Sequence, residues 1–174
     1  MTELSTKLAI LRERVLSHRN HEGALLIVYD PADELTFRED YAEIIQEAKA
    51  RGVPVAEVDL RMLPFDVLAR RDLLERAFLL DAKASRDAHQ SLARMVQEGT
   101  KDRIAEVSHD HPDDIIFCHA TAALFPWISY SSLLESIEAT VPNTLILPFP
   151  GDESGSALHF LSAKDGYNYR ATRI

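Results

Sequence analysis

Hydrophobic positions along the chain follow two rhythms. Leu4, Leu8, Leu11 and Val15 recur at helical steps, so they share one face of a helix. Lys7, Arg12, Glu13 and Arg14 fall mostly elsewhere, and the apolar face either covers the core or docks on a partner. Ala24–Tyr29 then runs apolar without alternation up to Asp30-Pro31, the pattern of a strand covered on both faces in a parallel sheet. Thr36 and Glu39 have capping-box spacing, Tyr41, Ile44, Ile45 and Ala48 follow at helical steps, and Gly52 stands where a helix C-cap belongs. Residues 53–59 read as a second strand, whose early Pro54 favours an edge or a first position. Strand, helix, glycine, strand is a βαβ unit.

The middle is richer in helix. Pro64 suits the first turn of a segment carrying Phe65, Val67 and Leu68, and Leu73, Leu74, Ala77, Phe78 and Leu80 continue it. Leu92, Met95 and Val96 mark another helix ahead of Gly99. Apolar content falls over residues 82–107, which predicts a helical excursion from the core. Residues 114–118 form a third buried strand leading into His119-Ala120-Thr121; Tyr130, Leu133, Leu134 and Ile137 give a further helical face, and residues 144–147 a fourth strand. Alternation in residues 157–161 and 167–170, with Asp165-Gly166 between, predicts two antiparallel closing strands. The pattern predicts one three-layer α/β domain over residues 1–174, with a mainly parallel sheet and helices on both faces.

Composition narrows the function classes. A chain of 174 residues matches one domain at roughly 150 residues each. Its 46% hydrophobic and 27% charged content argues against a wholly disordered or collagen-like chain. With 19 basic against 28 acidic residues, the net charge of −9 argues against direct nucleic-acid binding and leaves room for a basic partner. The single cysteine, Cys118, excludes an internal disulfide and a Cys-rich zinc module, and its apolar neighbours make it a buried, inert thiol. No apolar run approaches the ~18–20 residues of a membrane span, and Met1-Thr2-Glu3 lacks a signal peptide's basic start, so a cytoplasmic protein is expected.

Candidate chemistry is sparse. Neither GxxxxGK[ST] nor GxGxxG occurs, and the first strand ends in the acidic Asp30-Pro31-Ala32-Asp33, so nucleotide binding is disfavoured and no cofactor is expected. The run from His109 to Asp114 is the densest group of metal-ligand types, but it is also a string of turn formers feeding a strand; no metal site is expected there. The carboxyl ends of strands, where open α/β sheets take ligands, carry Asp30, Asp59, His119 and Asp152. Converging carboxylates would hold a divalent ion with His119 as base, whereas separate aspartates would cap the helices that follow. Trp127, beside Phe125-Pro126, either anchors a partner or packs in the core. No catalytic set is assembled by spacing.

An ordered set of motifs adds to this. Leu124-Phe125-Pro126-Trp127-Ile128, Leu133-Leu134, Val141-Pro142, Pro148-Phe149-Pro150-Gly151, Leu158-His159-Phe160 and Tyr167-Asn168-Tyr169-Arg170-Ala171 follow one another; Tyr29-Asp30-Pro31, Glu34-Leu35, Arg38 and Val58-Asp59-Leu60 precede them. This order resembles the BrxB family, a small component of BREX bacteriophage-defence systems. The chain departs from the family pattern at Ser129-Tyr130, where a basic residue is usual, and at Asp152-Glu153, where an aromatic is. The resemblance implies a non-catalytic scaffold or adaptor beside a PglZ-like protein, in a complex with a methyltransferase and an ATPase. Candidate partner contacts are Phe125, Trp127, Tyr130, Arg170 and Arg173, since aromatic and arginine side chains dominate interface energetics. The competing expectation is a metal-dependent hydrolase or nuclease using the strand-end carboxylates.

Overall fold

The unbroken apolar run of β1 (Ala24–Tyr29) has its cause in burial on both faces: Leu25, Ile27 and Tyr29 enter one core layer, Leu26 and Val28 the other. The computed structural model describes residues 2–17, 21–76, 86–125, 127–128, 130–137, 140–154, 157–160 and 171–174. With β2 (Val55–Asp59), β3 (Ile115–His119), β4 (Leu145–Ser154) and β6 (Thr172–Arg173), β1 forms a parallel sheet in the order β2-β3-β4-β1-β6. β2 is the edge strand that Pro54 favours.

One face of the sheet carries α1 (Glu3–Leu16) and α2 (Glu34–Ala50). Leu4, Leu8, Leu11 and Val15 are all buried there, and at roughly 1.5–3 kcal/mol for each side chain withdrawn from water this decides that α1 covers the core. The other face carries α3 (Leu63–Arg70), α4 (Arg86–Asp110) and α5 (Tyr130–Ile137). Gly52, at φ +76°, turns the chain from α2 towards β2 in a conformation that costs glycine little.

Several expectations are corrected. The helix after β1 starts at Glu34, behind a 3-10 turn over Pro31–Asp33 capped by Asp30, so Thr36 and Glu39 lie inside it and form no capping box. Residues 82–107 are helical over their described part but do not leave the core, since Val96 and Ile104 are fully buried. Gly99 lies within that helix instead of ending it: a Cβ there would collide with the Val67 side chain, so the bare backbone lets α3 and α4 approach. Of the two expected C-terminal strands, only the first is among the described residues, and its partner there is β4. β5 (Ala157–Phe160) pairs antiparallel with the far end of β4, while β6 runs parallel to β1; residues 161–170 lie outside the described residues.

β4 extends well past the expected fourth strand and contains Pro148 and Pro150, unusual in a central strand. The Thr144 carbonyl accepts the Ile116 N–H (2.9 Å), and the Leu145 N–H reaches Gly23 on the opposite side (3.1 Å). Even-numbered positions therefore face β3, and β3 pairs no further than Ile146. Each proline thus presents its missing N–H to a neighbour that has already separated. The split leaves the Pro148 carbonyl to accept the Thr121 hydroxyl (2.7 Å) and the Tyr130 hydroxyl (2.8 Å).

Candidate functional site

The chain leaves β1 towards α2 on one face of the sheet and leaves β3 towards α5 on the other. Opposed exits open a crevice at the carboxyl ends of the strands, where α/β sheets place ligands. A cavity of about 160 Å³ lies there, lined among others by Tyr29, Arg38, Tyr41, Arg61, His119 and Pro148.

Its wall is an aromatic stack. The Tyr29 and Phe37 rings lie 4.0 Å apart and almost parallel, Phe37 and Tyr41 stack at 5.1 Å, and Tyr41 meets the His119 ring edge-on at 5.6 Å. Tyr29 donates its hydroxyl to Glu34 (2.6 Å), and Glu34 accepts Arg38 Nε (2.6 Å) through its other oxygen. Burial, and then the Glu34 contact, hold the Tyr29 phenol well above its ordinary pKa. Burial does the same for Tyr41, whose hydroxyl donates to the Cys118 carbonyl (3.1 Å). The Cys118 thiol, fully buried, is pushed up to about 12 by desolvation, as befits an inert core cysteine.

His119 ends β3 with Nε2 2.8 Å from Glu57, whose other oxygen accepts Lys49 Nζ at 2.5 Å. Burial alone would raise the Glu57 pKa, but hydrogen bonds from Lys49 and His119 outweigh it and hold the carboxyl below its usual value. A carboxylate only accepts, so Nε2 carries the proton and Nδ1 is left over. The next residue, Ala120, is left-handed (φ +54°), a conformation that costs a non-glycine residue about 1–2 kcal/mol.

The four strand-end candidates are not brought together as one set: Asp59 is the register partner of His119 across β2 and β3, while Asp30 shares a different cavity with Asp152. Asp30 accepts the Ala32 N–H (2.9 Å) and Asp59 the Arg61 N–H (2.9 Å), so both serve as local caps. Asp30 and Asp152 line a separate cavity of about 320 Å³ beside α1. The Lys7 ammonium also lines it, 3.1 Å from Glu3 and bonded to the Val28 carbonyl. Among the described residues, no group of three or more His, Cys, Asp or Glu side chains is placed to hold a metal ion. The run from His109 to Asp114 closes α4 and turns into β3, with His111 Nδ1 3.2 Å from Asp114.

The partner candidates also divide. Phe125 is 46% exposed, whereas Trp127 is half-buried against Leu68 and Leu92. Tyr130 is a core residue, held inward by its bond to Pro148 and an edge-on contact with Phe149 (4.8 Å). Arg173 is half-buried in β6, and Arg170 lies outside the described residues. Sequence reasoning missed Met62 and Phe65, both exposed at the start of α3, against which the turn before Phe125 packs. It also missed Arg61, and it named Arg38 only among the residues of the resemblance without placing it at the cavity, because no local spacing links α2 to the β2–α3 connection.

Fold and site together define a parallel-sheet α/β protein with a small strand-end cavity and dispersed carboxylates. The model of the family described as BREX protein BrxB matches residues 56–174, and the chain belongs to that family. It is also similar to a BREX protein BrxB of Bacillus cereus (strain H3081.97), with 26% identity over 162 residues, covering 89% of this chain and 84% of the relative. No solved structure matches the chain. Family membership makes it a component of a BREX defence system, and among the described residues no helix is long and apolar enough to cross a membrane.

Proposed function

We propose that the protein is a non-catalytic, cytoplasmic scaffold or adaptor of its BREX complex, and that it binds a PglZ-like protein through the apolar rim at the start of α3 and the turn after β3. The observation that carries this reading is the exposure of Met62, Phe65 and Phe125 on adjoining elements, since large exposed apolar side chains grouped together mark interaction sites. The dispersal of Asp30, Asp59, His119 and Asp152 supports it against the hydrolase reading, which needs them convergent. A net charge of −9 favours a basic face on the partner and salt-sensitive association.

The test is co-purification with the PglZ-like protein of the same genome, using wild type, Phe125→Ala and Trp127→Ala. Truncating a true anchor weakens binding by roughly 2 kcal/mol, about thirtyfold. Phe125→Ala is the sharper variant because its side chain supports less of the core. Failure of the wild type to form a complex rejects the partner; an undiminished complex with folded Phe125→Ala rejects the surface.

A further inference from the structure

We infer that the cavity between β1, β3 and β4 is a binding site for a small oxyanion that also carries one hydroxyl, the chemistry shared by hydrogen phosphate and short hydroxy acids. Two guanidinium groups from different elements stand at this one cavity, and most of their donors are unspent. Arg38 gives Nε to Glu34, which fixes the plane of its fork, and its two terminal nitrogens have no acceptor among the described residues. Arg61 approaches Asp59 only at 3.7 Å, beyond hydrogen-bond reach. Both are largely exposed, at 60% and 67%, so these ion pairs contribute little and do not compete strongly with an incoming anion. An arginine fork matches the geometry of a phosphate or carboxylate edge.

The remaining groups select within the anions. His119 is oriented by Glu57 through Nε2, so Nδ1 is the atom left for a ligand; in the neutral ring it accepts the proton of a ligand hydroxyl. The Tyr29–Phe37–Tyr41 stack supplies an apolar wall for a short carbon stem. At about 160 Å³ the cavity falls well below the roughly 300 Å³ at which pockets for drug-sized ligands begin, so a whole nucleotide is too large. Position agrees with chemistry, because the cavity lies where the chain exits the sheet to opposite faces.

The experiment is calorimetric titration of the full chain with inorganic phosphate and, separately, with glycolate, repeated on Arg38→Gln, Arg61→Gln and, as a distant control, Arg103→Gln. Saturable binding of either probe is expected, weakened about tenfold by loss of one charged hydrogen-bond donor and unchanged in the control. Which probe binds tells phosphate from hydroxy acid. Circular dichroism checks that each variant folds, and Arg61→Gln, which removes only a long surface ion pair, keeps the test decisive if Arg38→Gln does not fold. No saturable binding of either probe overturns the inference, as does binding that survives in the folded arginine variants.

Discussion

At the amino-terminal ends of the strands, one buried amide ties the chain together; at the carboxyl-terminal ends, donors are left over. The Asn143 side chain donates to the carbonyls of His111 and Asp114, both at 2.8 Å, and to that of Pro112 at 3.3 Å, while its oxygen accepts the Ser108 hydroxyl at 2.5 Å. Beside it, the Thr144 hydroxyl accepts the Glu22 N–H (3.0 Å), and the Pro142 carbonyl meets the His21 ring (3.0 Å). The opposite end holds left-handed Ala120, two prolines where β3 and β4 part, and the unspent forks of Arg38 and Arg61. Left-handed backbone occurs at both ends, at His21 (φ +63°) before β1 and at Ala120 (φ +54°) after β3. The difference is that the amino-terminal end is tied by a buried amide, while the carboxyl-terminal end keeps donors that a ligand can take.

The comparison is broken most directly at Asn143. Replacing it with alanine leaves the buried Ser108 hydroxyl and up to three part-buried carbonyls without their partner. Unsatisfied buried groups cost about 1–3 kcal/mol each before relaxation, so a loss of roughly 2–4 kcal/mol is expected in denaturant titration. A loss below about 0.5 kcal/mol, the scale of an ordinary surface substitution, would show that the amino-terminal end is not specially fastened.

Ala120→Gly sharpens the contrast with the opposite sign. The left-handed backbone at φ +54° penalises a Cβ, and glycine removes that penalty while giving back part of it as unfolded-state entropy. A net gain of about 0.5–1 kcal/mol is expected, read as a raised Tm. An unchanged or lowered Tm would mean that the turn after His119 stores no strain.

These two ends were not equally legible in the sequence. β1, β3 and the apolar faces of α1, α2 and α5 follow from periodicity, because burial on two faces or one leaves a direct imprint on residue type. Gly99 misled, since a glycine required by a close helix crossing reads locally like a helix stop. The β4–β5 pairing was hidden because prolines normally argue against a central strand, and only the departure of β3 makes them tolerable. Of the site, His119 and the capping aspartates were visible at strand ends, but their separation into caps and two cavities is a property of tertiary arrangement. Arg38 and Arg61 are ordinary surface arginines until α2 and the β2–α3 connection meet.

The smallest expected effect concerns Glu57, which holds His119 in place from the edge strand. Its folded pKa is lowered from an ordinary value of 4.5, because the bonds from Lys49 and His119 outweigh the opposing effect of burial. Below that ordinary value the unfolded chain binds the proton more readily than the folded one, so stability rises with pH there. The contribution is therefore complete above the unfolded value and is lost as pH falls through the lower folded one. Glu57 and Lys49 are 36% and 43% exposed, so solvent screening limits the contribution to a few tenths of a kcal/mol. Glu57→Gln isolates it, because every other carboxylate is common to both chains and cancels in the difference. Denaturant titrations of the two proteins near neutral pH should show the wild type slightly more stable, and the gap should close on acidification below the folded value of Glu57. A gap that stays constant across that range would mean that Glu57 positions His119 through shape alone, with no charge held at the edge of the cavity.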